Sequence, residues 1–368
     1  MRKKSILAVF LIMLLFLAGC NVSRETSVTD RQIQTKTVVN EPVKSEPKHT
    51  SNKVPEPAQK AQENMVEPAG NKPEWEKPAV TKSESREEAK VRLLVTRDYG
   101  AAIIFDQWVE VQEQRDALGL TTSYLDIKTS YGGSFVNSIN GLKSGYTGRI
   151  GKREKSDWFL YFNGVLAGTG AGDIKVKNRD VVWWDYHNWG AAAFTPAMIG
   201  AFPHPFSTGV LLAYSASAQD AADLLSTGLG SRGIKKVQLQ EVNDAIINKR
   251  PCPVIVLGLR EEILALSAIQ ALNSNQQRTG LFCGFTDSGF QLLDTALQKG
   301  RTVEGEDYAC IEATASGMGD TNPLWLVVAD DERGLEQAVS YLNQGSVNPD
   351  CGWGVVLGPQ GLTPLPLR

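Results

Sequence analysis

Apolar residues fall along this chain in three regimes. Residues 6–17 are one continuous apolar run, broken only by the small Ala8. Residues 21–90 are almost devoid of such positions, and from residue 91 onward they return at strand and helix spacings. In this third regime residues 91–96, 101–105 and 108–111 are β-rich, with a turn signal at Asp98-Tyr-Gly100. Residues 113–120 suit a short helix stopped near Gly119, and residues 124–129 alternate as a strand. The densest stretch starts at Trp158-Phe-Leu-Tyr-Phe-Asn-Gly164, whose alternation sends Trp158, Leu160 and Phe162 to one face and Phe159 and Tyr161 to the other. Asn163-Gly164 fits a type I′ turn, which needs positive φ at both central residues. Gly170 and Gly172 permit a tight loop, and Val181-Val-Trp-Trp-Asp-Tyr186 reads as the closing strand. Aromatic rings on both faces mean that neither is fully solvated. One face is expected to meet the helix, and the other a partner, a ligand or a second domain.

Beyond residue 206 a strand–helix rhythm sets in, of the kind an internal repeat produces. Residues 209–214, 236–241, 253–257, 281–285, 308–313, 324–329 and 354–357 read as strands. Helices are expected over 218–225, capped by Ser217, over 261–272, and over 333–342, capped by Asp330. Strands that are apolar without alternation imply burial on both faces. The pattern predicts a multidomain α+β chain: a small, mostly β domain with one helix, then an α/β or α+β domain with three strand–helix units around one mixed sheet.

The first two regimes give an address. Arg2, Lys3 and Lys4 precede the apolar run, which is too short for a comfortable membrane span and reads as a signal peptide. It ends in Leu17-Ala18-Gly19-Cys20, which resembles the bacterial lipobox. That resemblance implies cleavage before Cys20, lipidation of its sulfur, and anchoring on the outer side of the bacterial cell membrane. The following segment holds seven of the 17 prolines and a single aromatic residue, Trp75. It buries too little to offset its ordering entropy and is expected to be a disordered tether. The expected organisation is signal peptide 1–19, tether 20–90, β domain 91–189, connector 190–206 and second domain 207–368. A net charge of -3 implies no broad basic field, so nucleic acid is not an expected partner.

Phe135-Val-Asn-Ser-Ile-Asn-Gly141, Trp158-Phe-Leu-Tyr-Phe-Asn-Gly164, Gly170-Ala-Gly-Asp173 and Asn178-Arg-Asp-Val-Val-Trp-Trp-Asp-Tyr186 occur in that order. Together they resemble the transcobalamin-type C-terminal domain, DUF4430, over residues 91–187. At Asn178-Arg179-Asp180 the chain departs from the Gly-Asp turn usual in that family. The resemblance implies a fold related to β-grasp domains. In vitamin-binding relatives this domain covers one side of a cobalamin and a helical barrel the other, so it also implies a corrinoid as a ligand. The chain has no segment resembling that barrel. The residues expected to contact a ligand are Trp158, Tyr161, Asn163, Gly164, Gly170 and Gly172, with Trp183, Trp184, Tyr186, His187 and Trp189 from the closing strand and its continuation.

Catalytic patterns are missing from the sequence. Gly228-Leu-Gly230-Ser-Arg-Gly233 has dinucleotide-type spacing but follows a helix rather than a strand, so it reads as a helix end. No phosphate-binding lysine loop, zinc-type His-Glu spacing or Gly-x-Ser-x-Gly elbow is present. His49, His187 and His204 are too scattered for a metal site. No enzyme activity, metal or resident cofactor is therefore expected. Residues 315–320 read as a loop able to line a cleft. Cys252, Cys283, Cys310 and Cys351 are expected to hold at least one disulfide, with the pairing open. The expected function is a lipoprotein that binds a ligand or partner, such as a corrinoid or another nutrient passed to a membrane transporter. The rival expectations are an assembly protein of an envelope complex with no small ligand, and an envelope hydrolase.

Overall fold

The β-branched and leucine-rich segment Val91-Arg-Leu-Leu-Val-Thr96 forms the core of β1 (Lys90–Arg97). In the computed structural model it is flanked by β2 (Ala102–Glu110), antiparallel, and by β8 (Val181–Asn188), parallel. The sheet continues antiparallel through β6 (Ser156–Phe162) to the two-residue β7 (Val165–Leu166), in the order β2-β1-β8-β6-β7. The structure describes residues 89–368 except 112–114, 131, 132, 134 and 193. The expected signal peptide, Cys20 and the expected tether up to residue 88 lie outside the described residues.

One face of this sheet carries Val91, Leu93, Val95, Trp158, Leu160 and Trp184, packed under the helix Ala117–Tyr124. That helix lies several residues beyond its expected position. Gly119 does not stop it but sits in its first turn, its N–H held by the N-cap carboxylate of Asp116. Tyr124 consequently ends the helix, and the next strand begins only at Ile127: β3 (Ile127–Ser130) forms a small sheet with β4 (Phe135–Ile139) and β5 (Leu142–Lys143). The hairpin after β6 has φ 51° at Asn163 and 83° at Gly164, as the turn chemistry requires.

The second sheet has seven strands. β9 (Val210–Tyr214), β10 (Val237–Glu241), β11 (Val254–Leu259) and β16 (Leu324–Ala329) are parallel in the order β10-β9-β11-β16. β15 (Ala309–Thr314), β17 (Gly354–Gly358) and β18 (Gly361–Leu365) extend it antiparallel beyond β16. The continuous apolar runs are explained by cover on both faces. Leu212, Ile255, Leu257, Trp325 and Val327 point toward the helices Gln219–Ser231 and Glu332–Asn343. Leu211, Val254, Val256, Leu324 and Leu326 point the other way. That second face meets the short helices near Ile247, Ile263 and Ile269, and a third sheet of β12 (Cys283–Phe285), β13 (Phe290–Leu293) and β14 (Lys299–Val303). The same apolar cluster also takes in Leu94, Tyr161 and Trp183 of the first sheet.

Several local expectations change. Ser217 is not a cap: its hydroxyl donates to Glu262 Oε1, and the helix begins behind a 3-10 turn. The cap of Glu332–Asn343 is Asp331, whose carboxylate accepts from Gly334 N, while Asp330 pairs with Arg260. The segment 261–272 is two helices, Arg260–Leu264 and Ser267–Asn273. Gly228 and Gly230 lie inside a helix, and only Gly233 (φ 86°) follows its end. The expected disulfide is not formed, because Cys252, Cys283, Cys310 and Cys351 are all free thiols.

Candidate functional site

The face of the first sheet opposite the helix is sealed. Trp183 Nε1 donates to Thr96 Oγ1 at 2.7 Å, and that hydroxyl donates to Asp185 Oδ2 at 2.5 Å. Asp185, fully buried, also accepts from the backbone N–H of Tyr99 and Gly100 and lies 2.7 Å from His187 Nδ1. The His187 ring stacks between Tyr99 and Phe159, each with ring centres 4.3 Å away. Trp353, from the loop before β17, meets Tyr99, Tyr161 and Trp183 edge-on at 5.4–5.5 Å. Tyr161 is fully buried, and its hydroxyl donates to Thr195 O. Burial and nearby Asp185 drive the Tyr99 hydroxyl pKa upward. Tyr161, Trp183 and His187 are therefore parts of the interior and do not line an open site in this structure.

The open site lies at the edge of β6. β7 pairs only with Tyr161 and Phe162; beyond it Leu160 O accepts from Ala167 N and Ser156 O from Gly145 N, and between these two bonds the stretch at Trp158 has no described strand beside it on the β7 side. There a cleft of about 490 Å³ opens, lined by Trp158, Trp184, Trp189, Phe159, Phe194 and Met318 among others. Gly170 and Ala171 line it from the 3-10 turn Ala171–Asp173, and Val136 from β4. The walls are held from behind. Trp158 Nε1 donates to Leu142 O and Trp184 Nε1 to Thr121 Oγ1. Tyr186 stands against Trp158 with ring centres 5.3 Å apart. Trp189, half-buried, packs edge-on against Tyr146 and carries the Lys155 ammonium over its ring. Asp157 is the one titratable side chain among the described lining residues, and it accepts a 2.6 Å hydrogen bond from Thr147.

Residues 315–320 do reach the cleft. Gly319 N donates to Leu166 O at 2.7 Å, and a Cβ on Gly168 would stand 3.1 Å from the Gly319 Cα, so the two backbones meet closely. This contact sets the half-exposed Met318 at the rim. Of the expected ligand contacts, Trp158, Gly170, Trp184 and Trp189 come together here. Asn163 is a turn anchor, its side chain bonded to Asp180 and to Val181 N, and Gly164 packs against Met198. A Cβ on Gly172 would meet nothing within 4 Å, and Gly172 is not in the lining. Phe159, Phe194 and Met318 were not among the expected contacts. Phe159 was placeable on a face by alternation, but nothing local in the sequence brings Phe194 and Met318 to the same rim.

Residues 115–188 match the family described as Domain of unknown function (DUF4430). The DUF4430 resemblance carried by the Trp158 and Asp180-Val-Val-Trp motifs is thus met over these residues, which run from the start of the helix to the end of β8. Among solved structures the chain is similar to a candidate metal-binding protein from Ruminococcus gnavus ATCC 29149, at 14% identity and a TM-score of 0.20, covering 27% of this chain and 96% of that one. It is also similar to haptocorrin in complex with Cbi, at 17% identity and a TM-score of 0.20, covering 27% of this chain and 25% of haptocorrin. The chain therefore spans about a quarter of haptocorrin's length. No curated protein matches it.

Proposed function

We propose that this chain is a binding protein that takes a ligand with an apolar, ring-containing body into the cleft beside β6, and that it does so as a lipoprotein held at the outer face of the cell membrane through Cys20. The observation that carries the reading is the cleft itself: about 490 Å³ walled by three tryptophans, three phenylalanines and a methionine. Sites for small molecules are largely apolar concavities with a few polar groups to fix orientation, and Thr147, Asp157 and Thr169 are placed to serve that purpose. With its one carboxylate already engaged, the lining favours capture over catalysis. A corrinoid is the ligand class that the DUF4430 resemblance brings, and delivery to a membrane transporter is the role it would serve. An axial bond from His187 has no place in this reading, because that ring is enclosed by Tyr99 and Phe159.

The test is a titration of the full chain in lipid nanodiscs with corrinoids and with other apolar-bodied nutrients, followed by tryptophan fluorescence. Saturable quenching is expected, and Trp189→Ala should weaken binding at least about tenfold, or roughly 1.4 kcal/mol. If no compound gives saturation, or Trp189→Ala leaves the affinity unchanged, the cleft is not a small-molecule site, and the rival role of assembling an envelope complex takes precedence.

A further inference from the structure

A second constellation involves residues that do not line the cleft. Cys310 and Glu312 are two residues apart on β15, so both point to the same face of the seven-stranded sheet, the face turned toward β12–β14. Cys283 opens β12 directly opposite. Its N–H and that of Phe282 both bond the Glu312 carboxylate, at 3.2 and 2.6 Å. These bonds fix the start of β12 on Glu312 and bring the Cys283 sulfur to the Cys310 sulfur. Sγ of each cysteine and a Glu312 oxygen lie within 4.8 Å of one another, and all three side chains are buried. β17 leaves room for the carboxylate: Gly354 stands across from Glu312, and a Cβ there would come within 2.9 Å of Glu312 Cγ. Among the described residues Glu312 has no cationic partner in an ion pair.

We propose that Cys283, Cys310 and Glu312 form a buried binding site for a thiophilic d10 metal ion of the zinc(II) class. Two sulfurs and one carboxylate oxygen are the donor types that such an ion takes, and the soft thiolates select it over magnesium or calcium. The charges balance closely. Two thiolates and a carboxylate bring three negative charges against two positive ones, and the Phe282 and Cys283 N–H dipoles stabilise the remaining one. Binding releases to water the two thiol protons and the carboxyl proton that burial retains on Glu312 toward neutral pH. The three donors are enclosed, so the ion is captured while β12 docks onto β15, and its binding energy becomes folding energy. This site does not depend on the cleft or on its ligand.

The experiment uses the full chain carrying Cys20→Ser, Cys252→Ser and Cys351→Ser, so that only the two proposed thiols remain. Folded in the presence of zinc and then dialysed, it should retain about one zinc per chain. Cobalt(II) in its place should give a thiolate-to-metal charge-transfer band, and metal-free refolding should lower Tm. Adding Cys310→Ser should reduce the affinity at least tenfold, and Glu312→Gln should reduce it while keeping the band. Should the parent triple variant retain no stoichiometric zinc and show no cobalt band, the site is a neutral core cluster and the proposal is wrong. A Cys283–Cys310 disulfide in that variant, read as an intact mass two hydrogens lighter, overturns it equally. Both decisions come from the parent variant, so they stand even if Cys310→Ser does not fold.

Discussion

Trp183 has its indole ring held between two glycines of the connector and the C-terminal region. A Cβ on Gly200 would lie 2.4 Å from its Cζ3, and one on Gly352 would lie 2.7 Å from its Cη2. Neither glycine is needed for its backbone angles; each is needed because the ring occupies the space that a side chain would fill. Gly200→Ala should therefore destabilise the fold by about 1–3 kcal/mol through overpacking. Denaturant unfolding of the full chain measures this, and an unchanged midpoint would mean that the ring has room to shift. Asp185 beside it shows the opposite risk, that of removal. Its carboxylate accepts from Thr96 and from the N–H groups of Tyr99 and Gly100 in a fully buried setting. Asp185→Ala leaves those donors unmet and should cost about 3–5 kcal/mol. The same unfolding assay reads it, and a loss below that of Gly200→Ala would show that water replaces the carboxylate.

At the level of elements, the loop that brings Met318 to the cleft is held by one acidic residue. Asp320 accepts from Ser316 N at 2.7 Å, Asn322 N at 2.8 Å and Arg250 Nη2 at 3.0 Å. Burial alone would raise its pKa, but the two N–H donors and the Arg250 guanidinium prevail and hold it below the usual carboxylate value. A lowered folded pKa means that the stabilisation is complete above the ordinary carboxylate range and disappears as pH falls through the lowered value. Ligand affinity in the cleft should accordingly hold steady near neutrality and drop on acidification below about pH 4. Asp320→Asn should weaken binding at neutral pH and flatten that acid limb, and fluorescence titrations across pH check both. An acid limb that persists unaltered in the variant would place the titrating group elsewhere. Sequence alone shows this loop only as a loop. Local signals hold: the apolar strand Leu324–Ala329 stands where its composition put it, and Asn163-Gly164 makes its turn. Helix starts are less legible, because a competing partner decides them. Asp116 rather than the chain near 113 sets the first helix, and Glu262 takes the Ser217 hydroxyl. The edge strands β14 and β18 escaped notice because they are largely exposed, and β18 contains Pro364, which only an edge tolerates. The cleft was half visible: its tryptophans could be named, but their separation into sealed and open faces depends on Trp353, almost two hundred residues further along the chain.

Trp353 carries the argument to the whole molecule. The first sheet is too thin to hide both of its faces under one eight-residue helix. Its second face is completed by Trp353, Phe282 and the backbone of residues 349–352, with Ile199 N and Gly200 N both bonded to Gly352 O. The chain's last residue returns to the same place: Arg368 Nη2 donates to Tyr99 O at 3.0 Å while its other nitrogen pairs with Asp350. Residues of both sheets thus belong to one apolar cluster, so the two faces that meet there are covered only by each other, while each sheet keeps a separate cluster on its other face. Trp353→Ala opens a cavity bordered by Tyr99, Tyr161 and Trp183 at once, so a loss of about 3–5 kcal/mol is expected. Because the cluster is shared, that loss should move a single calorimetric transition of the full chain rather than one of two. The near-ultraviolet signal of the first sheet's tryptophans should fade together with the far-ultraviolet signal of the second sheet's helices. Two resolved transitions, with only the later sheet responding to Trp353→Ala, would mean that the first sheet is stable by itself and that its buried face has merely been covered rather than built by its neighbour.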